Sequence, residues 1–171
     1  GRYRIGFNPR TGEYSFGVAP AGEDVAMAYY TEDAPVVDGQ VDEYDLFYNS
    51  NILTAGIGSI NNVVNWGARW DMESFYIGVQ VTDEALYGNG SPWDNDAIEF
   101  YIDGNNDKDG PYDLDFDTQV ILDILNQSVP WFKADGVPVT NYDAQWIYTG
   151  LGYNVEMRLG WANFGFEPGR G

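Results

Sequence analysis

Alternation of apolar and polar residues in many short segments is the feature that most constrains the fold of this chain. The segment 74–82 reads SFYIGVQVT and the segment 97–103 reads AIEFYID, and in each an apolar residue recurs at every second position. A period of two places one face of a strand against a core and leaves the other face polar. Turn residues separate the segments, and no long helical period interrupts them. The sequence therefore predicts an all-β protein, an antiparallel β-sandwich that is jelly-roll-like.

The same pattern sets the expected elements. The predicted strands are Tyr3–Phe7, Glu13–Phe16, Val25–Tyr30, Val63–Trp70, Ser74–Thr82, Ala97–Asp103, Tyr112–Leu125, Gln145–Thr149 and Tyr153–Trp161. Residues 42–48 are expected to form a short helix or an irregular segment. Residues 1–24 are expected to be a hairpin and linker, either the end of a preceding domain or a donated strand, and 25–171 the sandwich.

Side-chain direction in the last predicted strand follows from the period of two. Val155, Met157 and Leu159 should face the core, which places the polar residues of this strand on its other face. Four tryptophans in strand patterns are also expected to be structural: Trp66, Trp70, Trp146 and Trp161.

Composition excludes several classes of function. The 171 residues include 8 basic and 27 acidic side chains, a formal net charge of −19, and no cysteine or histidine. Such a negative charge repels nucleic acid and anionic membrane surfaces, so neither is an expected partner. Without cysteine or histidine there is no disulfide, no thiolate or imidazole zinc site and no His-ligated haem. No apolar stretch approaches membrane-spanning length, so membrane insertion is not expected. The composition is typical of an extracellular or cell-surface protein that uses calcium in place of disulfides.

The segment 91–110, SPWDNDAIEFYIDGNNDKDG, carries the candidate ligand site. Trp93 lies in a polar loop, where an indole face could stack on the apolar face of a pyranose. The alternative is a tryptophan tucked onto the sandwich edge. Glu99 and Tyr101 project from one strand face and could take sugar hydroxyls. Trp131, after Val129-Pro130, is a second candidate platform.

The loop after this strand offers hard oxygen ligands at alternate positions, as calcium requires. It matches only the first half of an EF-hand loop, because its glycine is displaced and Leu114 occupies the twelfth position. A calcium turn of another type is therefore predicted, with a solvated loop as the alternative. The candidate ligands are Asp103, Asn105, Asp107 and Asp109, with a second cluster at Asp38, Asp42 and Glu43.

No motif for catalysis stands out. Glycosidases need two carboxyl groups at a set separation, but a chain with 27 acidic residues satisfies any spacing by chance. Nucleophile motifs, phosphate-binding glycine loops and zinc motifs are absent. The chain is therefore predicted not to be an enzyme.

Four segments resemble, in order, carbohydrate-binding module family 9. They are PVVDGQVD at 35–42, ARWDMESFYIGVQVTD at 68–83, SPWDNDAIEFYIDGNN at 91–106 and GYNVEMRLGW at 152–161. The resemblance implies a calcium-stabilised β-sandwich that binds sugars, typically at chain ends of plant polysaccharides. It also implies that Trp93 is one wall of an aromatic clamp and that Glu99 bonds sugar hydroxyls.

Family members continue past the position of Gly171 with an IGF-type strand, a loop bearing the second clamp tryptophan and a final strand. The N-terminal GRYRIGFN resembles that IGF-type strand. It could fill the slot within the chain or in a neighbouring copy, which would build a homo-polymer through Tyr3–Phe7. Residues 3–16 also resemble the closing hairpin of domains in surface starch-binding lipoproteins, which would make this chain part of a multidomain surface protein; we favour this interpretation.

The expected function is that of a secreted, non-catalytic carbohydrate-binding module with calcium as its cofactor. Three alternatives remain open at this point. They are a structural or filament subunit of the same fold, a glycosidase, and a haem-binding relative relying on Met27, Met72 or Met157.

Overall fold

The computed structural model describes residues 5–8, 13–16, 28–49, 62–103, 117–125, 131–133, 139–164 and 168; within them, the side chains of 5–8, 13–16, 47–49, 93, 103 and 131–133 are not described. The described part of the chain is almost entirely strand. The strands are β1 (Ile5–Asn8), β2 (Glu13–Phe16), β3 (Ala28–Tyr30), β4 (Phe47–Asn49), β5 (Val63–Trp70), β6 (Ser74–Thr82), β7 (Ala97–Asp103), β8 (Asp117–Asp123), β9 (Trp131–Lys133), β10 (Tyr142–Tyr148) and β11 (Gly152–Gly160). Two short 3₁₀ helices span Pro92–Asp94 and Trp161–Phe164. No helix in these described ranges is long and apolar enough to cross a membrane.

The larger sheet is built on β10-β11-β6-β5, all antiparallel. Two short strands pair with the outer edge of β5, one after the other along its length. Strand β4 pairs with it antiparallel, with Phe47 opposite Trp66, and β3 pairs with it parallel, with Ala28 opposite Ala68. This parallel pair is the one departure, among the described strands, from the antiparallel pattern that the sequence predicts.

The smaller sheet consists of β7, β8 and β9, and it packs its apolar face on the larger sheet. Strand β11 supplies Val155, Met157 and Leu159, all at most 1% exposed, and β8 supplies Val120 and Leu122. Burying such side chains stabilises the fold by about 1.5–3 kcal/mol each. The prediction that the three β11 residues face the core is confirmed.

The four tryptophans predicted to be structural contribute to this core. Trp70 and Trp161 are buried, and Trp66 and Trp146 pack against the core half-buried. Trp161 also donates its ring N–H to the main-chain oxygen of Asp71 at 2.9 Å, which ties the end of β11 to the β5–β6 turn.

The outer face of the larger sheet is covered as well, by the segment 35–46. Gly67 and Gly78, opposite each other on β5 and β6, make room for it. A Cβ atom at Gly78 would lie 2.6 Å from Cδ2 of Tyr44, and one at Gly67 would lie 2.8 Å from the main-chain oxygen of Asp45. Tyr44, Val41 and Tyr76 form a second small core beneath this segment. Two polar residues on this face of β11 are therefore buried, Asn154 at 8% exposure and Glu156 at 0%.

Several predicted boundaries coincide with the structure, among them those of β2, β5, β6 and β7. Strand β10 begins at Tyr142, three residues before the predicted start at Gln145, because Tyr142 and Ala144 continue the half-buried alternation. Within 42–48, the structure has a turn and irregular chain, the second of the two predicted alternatives, before strand β4 begins at Phe47. Residues 17–24, predicted as a linker, lie outside the described residues.

Candidate functional site

The outer face of β7 and β8 brings three polar side chains together. Antiparallel register places Tyr101 directly opposite Gln119, and Glu99 is two residues away on the same face of β7. The Tyr101 hydroxyl donates to Oε2 of Glu99 at 2.6 Å. The Gln119 amide nitrogen donates to the Tyr101 hydroxyl at 2.9 Å and to Oε2 of Glu99 at 3.3 Å. We call this surface the triad face.

The triad face is open to solvent. Tyr101 is 40% exposed and Glu99 is also exposed, whereas the alternate residue Ile102 is buried in the core. This is the geometry that the alternation in β7 predicts, with a polar row outside and an apolar row inside. Chemically, the face offers a fixed carboxylate and an amide to a ligand that carries hydroxyl groups.

Trp93 lies in the 3₁₀ turn Pro92–Asp94. This turn precedes β7 in the chain and lies close to both β7 and β8. Asn95 anchors the end of this turn. Its amide nitrogen donates to Oδ2 of Asp123 at 2.8 Å and to the main-chain oxygen of Gly90 at 3.2 Å, and its Oδ1 accepts the N–H of Gly90 at 2.7 Å. The backbone of Trp93 is thus fixed beside the strand that carries Glu99. The Trp93 indole lies outside the described side chains.

Asp96 closes the same loop from the other side. Its carboxylate accepts the main-chain N–H of Tyr87, and its own N–H donates to the Tyr87 carbonyl at 2.8 Å. Burial raises the pKa of the Asp96 carboxyl; the Tyr87 N–H opposes the shift and the charge of Asp83 adds to it. These contacts hold residues 87–96 in one conformation.

Trp131 does not share the register position of the triad. It lies in β9 opposite Val120, and the residue opposite Gln119 is Phe132. The side chains of β9 lie outside the described residues, so the role predicted for Trp131 stays a prediction.

The candidate calcium loop follows β7. Asp103 is the last residue of that strand and lies opposite Asp117, the first residue of β8. Asp117 is buried, at 8% exposure. Two acidic residues therefore flank the mouth of the loop on adjacent strands. Asn105, Asp107 and Asp109 lie outside the described residues.

The second predicted metal cluster takes a different form. The Asp38 carboxylate caps its own turn, accepting the main-chain N–H of Gln40 at 2.8 Å and its side-chain amide at 3.0 Å. Asp42 is exposed, and Glu43 accepts the N–H of Val36 at 3.2 Å. Within the described ranges no three acidic side chains are grouped so that they could hold a metal ion. The ligand role predicted for Asp38 and Asp42 remains a prediction.

Three residues of the site escaped sequence reasoning: Gln119, Asn95 and Asp123. Gln119 belongs to a strand whose pairing depends on the length of the β7–β8 connection, which alternation does not fix. Asn95 and Asp123 meet across 28 positions in the chain. The available signal was the alternation within β8, which places Gln119 on the face away from Val120.

Residues 37–169 match the carbohydrate family 9 binding domain-like family. The chain belongs to this family. The β-sandwich is therefore that of a family 9 carbohydrate-binding module, as the sequence resemblance implies.

The curated relatives of this module are much longer enzymes, and the chain matches only a small part of each. Endo-1,4-beta-xylanase A of Thermotoga maritima is 30% identical over 143 residues, which cover 81% of this chain and 13% of the xylanase. Exoglucanase XynX of Acetivibrio thermocellus is 30% identical over 144 residues, which cover 81% of this chain and 12% of that protein. The chain spans about an eighth of the length of these relatives.

Solved structures share the fold of this family 9 module. A family 9 carbohydrate binding module from Caldicellulosiruptor kristjanssonii in complex with cellotriose superimposes with a TM-score of 0.62 at 21% identity, over 78% of this chain and 66% of that one. The complex with glucose gives a TM-score of 0.65 at 21% identity, over 82% and 70%. These likenesses confirm the predicted sandwich.

Proposed function

We propose that the triad face of this family 9 module binds sugar hydroxyls through Glu99, with Trp93 as the stacking platform. The observation that carries the proposal is the hydrogen-bonded arrangement of Glu99, Tyr101 and Gln119 on an open strand face. A carboxylate fixed in one orientation loses little entropy when it accepts hydroxyl groups from a ligand. The anchored turn beside β8 brings the Trp93 backbone to the same pair of strands.

The ligand we propose is a β-1,4-linked plant polysaccharide or its oligosaccharides. The names of the relatives support this class, since they are xylanases and an exoglucanase. The cellotriose and glucose complexes of a family 9 module point the same way. We further propose that the protein is extracellular or attached to the cell surface, where such polymers occur, and that it has no catalytic activity of its own.

We propose calcium as the cofactor, held by Asp103 and residues of the loop that follows it. Support comes from the backbone register, which places Asp103 opposite Asp117 and so puts two acidic residues at the mouth of the loop. Calcium prefers such carboxylate and amide oxygens. Bound there, it would join the ends of β7 and β8 and so stabilise the strand that carries Glu99.

Calorimetry with cellotriose tests the proposed site. Trp93→Ala and Glu99→Gln should each weaken binding by at least about tenfold, as loss of one stacking or charged hydrogen-bond partner costs about 1.5–3 kcal/mol. Tyr29→Phe, on β3 of the other sheet, is the matched control and should bind as the wild type does. Affinity that survives Trp93→Ala would refute the assignment of Trp93.

A structural role through strand exchange is the second candidate. Strand β1 approaches β7, and β2 approaches β3, although β1 and β2 hydrogen-bond only to each other among the described strands. The N-terminal strand thus lies beside an edge of the smaller sheet, which a neighbouring copy could also occupy. Light scattering after size exclusion would detect polymers, and a chain lacking residues 1–16 should then be monomeric. A monomer that binds sugar would exclude this role.

A further inference from the structure

Asn89 and Gly90 form the only Asn-Gly pair in the sequence, and such a pair is the one in which an asparagine side chain most readily loses ammonia. The main-chain nitrogen of the following residue attacks the side-chain carbonyl carbon, and glycine has no Cβ to obstruct this approach. Both residues are exposed, in a bend that precedes the Trp93 turn. Water therefore reaches the reacting groups.

The nitrogen that would attack is hydrogen-bonded in the folded chain. The Gly90 N–H donates to Oδ1 of Asn95 at 2.7 Å, and the Asn95 amide nitrogen donates back to the Gly90 carbonyl at 3.2 Å. The same amide nitrogen donates to Oδ2 of Asp123, a residue that is 1% exposed, at 2.8 Å. Because a main-chain carbonyl can only accept, the Asn95 amide has to turn its oxygen toward the Gly90 N–H. We call these three hydrogen bonds the Asn95 anchor.

We propose that Asn89 is a deamidation site and that the Asn95 anchor sets its rate in the folded protein. In the reaction the Gly90 nitrogen bonds to Cγ of Asn89, the Cγ–Nδ2 bond breaks, and the amide group leaves as ammonia with the proton of Gly90. Water then opens the resulting ring at either carbonyl, which gives aspartate or isoaspartate. The ring nitrogen carries no proton, so the hydrogen bond from Gly90 to Asn95 has to be lost when the ring closes.

Isoaspartate, one of the two products, does not fit this loop. It lengthens the main chain between residues 89 and 90 by one atom, because the chain then passes through the side-chain Cβ. Space is short here, since a Cβ atom at Gly90 would lie only 2.8 Å from Cβ of Asp94. The lengthened chain therefore cannot keep the Asn95 anchor, and the Trp93 turn is released from β8. Its consequence for ligand binding rests on the proposed function, in which Trp93 stacks on sugar.

Peptide mass spectrometry on the full chain, sampled during incubation in mildly alkaline buffer, measures the rate at Asn89. An isoaspartyl methyltransferase assay detects the isoaspartate. We expect the folded wild type to react more slowly than the same chain unfolded in urea. Asn95→Ala should accelerate the folded protein by about two- to tenfold, the factor that corresponds to one lost hydrogen bond. Asn89→Gln is the chemical control and should stay unmodified, because its longer side chain closes the ring far less readily.

Lower stability in Asn95→Ala also speeds the reaction if it raises the population of unfolded chain. Gly78→Ala controls for this, since a similar loss of stability is expected from its contact with Tyr44 and the Asn95 anchor stays intact. The rates are compared at a temperature at which all variants are folded. Equal acceleration in Gly78→Ala and Asn95→Ala overturns the role of the anchor, and so does an Asn95→Ala rate equal to that of the wild type. An unfolded chain that does not react at Asn89 overturns the site itself.

Calorimetry with cellotriose tests the consequence for binding. Ion exchange separates the aged wild type into fractions, and the isoaspartate fraction should bind at least about fivefold more weakly because the stacking partner is displaced. Freshly purified Asn89→Asp adds the charge with an unchanged main chain and should bind as the unmodified fraction does. Equal affinity in both fractions overturns the release of the Trp93 turn and leaves the deamidation site in place. If the unmodified fraction does not bind either, the proposed function is wrong and the binding consequence falls with it, whereas the measured rates still decide the role of the Asn95 anchor.

Discussion

The main-chain N–H of Gly39 donates a 2.6 Å hydrogen bond to Oε2 of Glu156, a residue 117 positions further along the chain. The N–H of Asp38 donates to the same oxygen at 2.8 Å. Glu156 lies in β11, in the middle of the larger sheet, and is completely buried. One carboxylate oxygen thus holds the segment 35–46 on the outer face of that sheet.

Removal of this carboxylate should destabilise the fold. Glu156→Ala removes the acceptor of the buried N–H of Gly39, at a cost of about 1–3 kcal/mol, and that of the partly buried N–H of Asp38, at a smaller cost. We expect the free energy of unfolding to fall by about 2–4 kcal/mol in urea denaturation. Gln145→Ala is the control, because Gln145 is the exposed neighbour of Glu156 on β10. A loss in Glu156→Ala no larger than in this control would contradict the anchoring role.

The same residue should make stability depend on pH. Burial raises the pKa of Glu156 from 4.5 to about 7; the N–H groups of Asp38 and Gly39 oppose the shift, and the charges of Glu43 and Asp38 add to it. The folded protein therefore holds this proton to a higher pH than the unfolded chain. The contribution of Glu156 to stability is then greatest below pH 4.5 and declines as the pH rises to about 7.

Comparison with Glu156→Gln isolates this effect, since glutamine does not titrate. The stability of the wild type relative to the variant should fall between pH 4.5 and 7 and level off above that range. Melting temperatures measured across pH 4–9 give the profile. A difference that stays constant throughout the range would show that Glu156 keeps an ordinary pKa.

Close approach of Tyr44 to the sheet depends on Gly78. A methyl group there would overlap the Tyr44 ring, so Gly78→Ala should cost about 1–3 kcal/mol. The cost should shrink when Tyr44→Ala removes the ring, which makes the pair a double-mutant cycle. Additive losses in the double variant would indicate that Gly78 matters for a reason other than this contact.

Sequence reasoning reached the elements whose signal is local. The bounds of β5 and β6 coincide with the prediction because their alternation ends at Asp71, whose Oδ1 accepts the N–H groups of Glu73 and Ser74 and closes the turn. Glu99 and Tyr101 were placed on one face by the period of two alone. Contacts between segments that lie far apart in the sequence were not predicted. Alternation describes the faces of β11 correctly, but it carries no information about the segment 35–46 that buries Glu156.

Asn95 should control the position of the Trp93 turn. Asn95→Ala removes its bonds to Gly90 and Asp123, so we expect a loss of about 1–3 kcal/mol in stability. Affinity for cellotriose should also decrease, because the turn is released from β8. Calorimetry at a temperature where the variant is fully folded separates the two effects. Unchanged affinity in the folded variant would show that the turn is positioned by other contacts.

Calcium removal should destabilise the protein through the β7–β8 loop. We expect a chelator to lower the melting temperature and added calcium to restore it, because a cation that binds only the folded chain stabilises it by mass action. Asp117→Asn removes one of the two charges at the mouth of the loop and should reduce the response. Asp143→Asn, in β10 and exposed, is the control that keeps the change in net charge. If the chelator leaves the melting temperature of the wild type unchanged, the proposed calcium site is wrong.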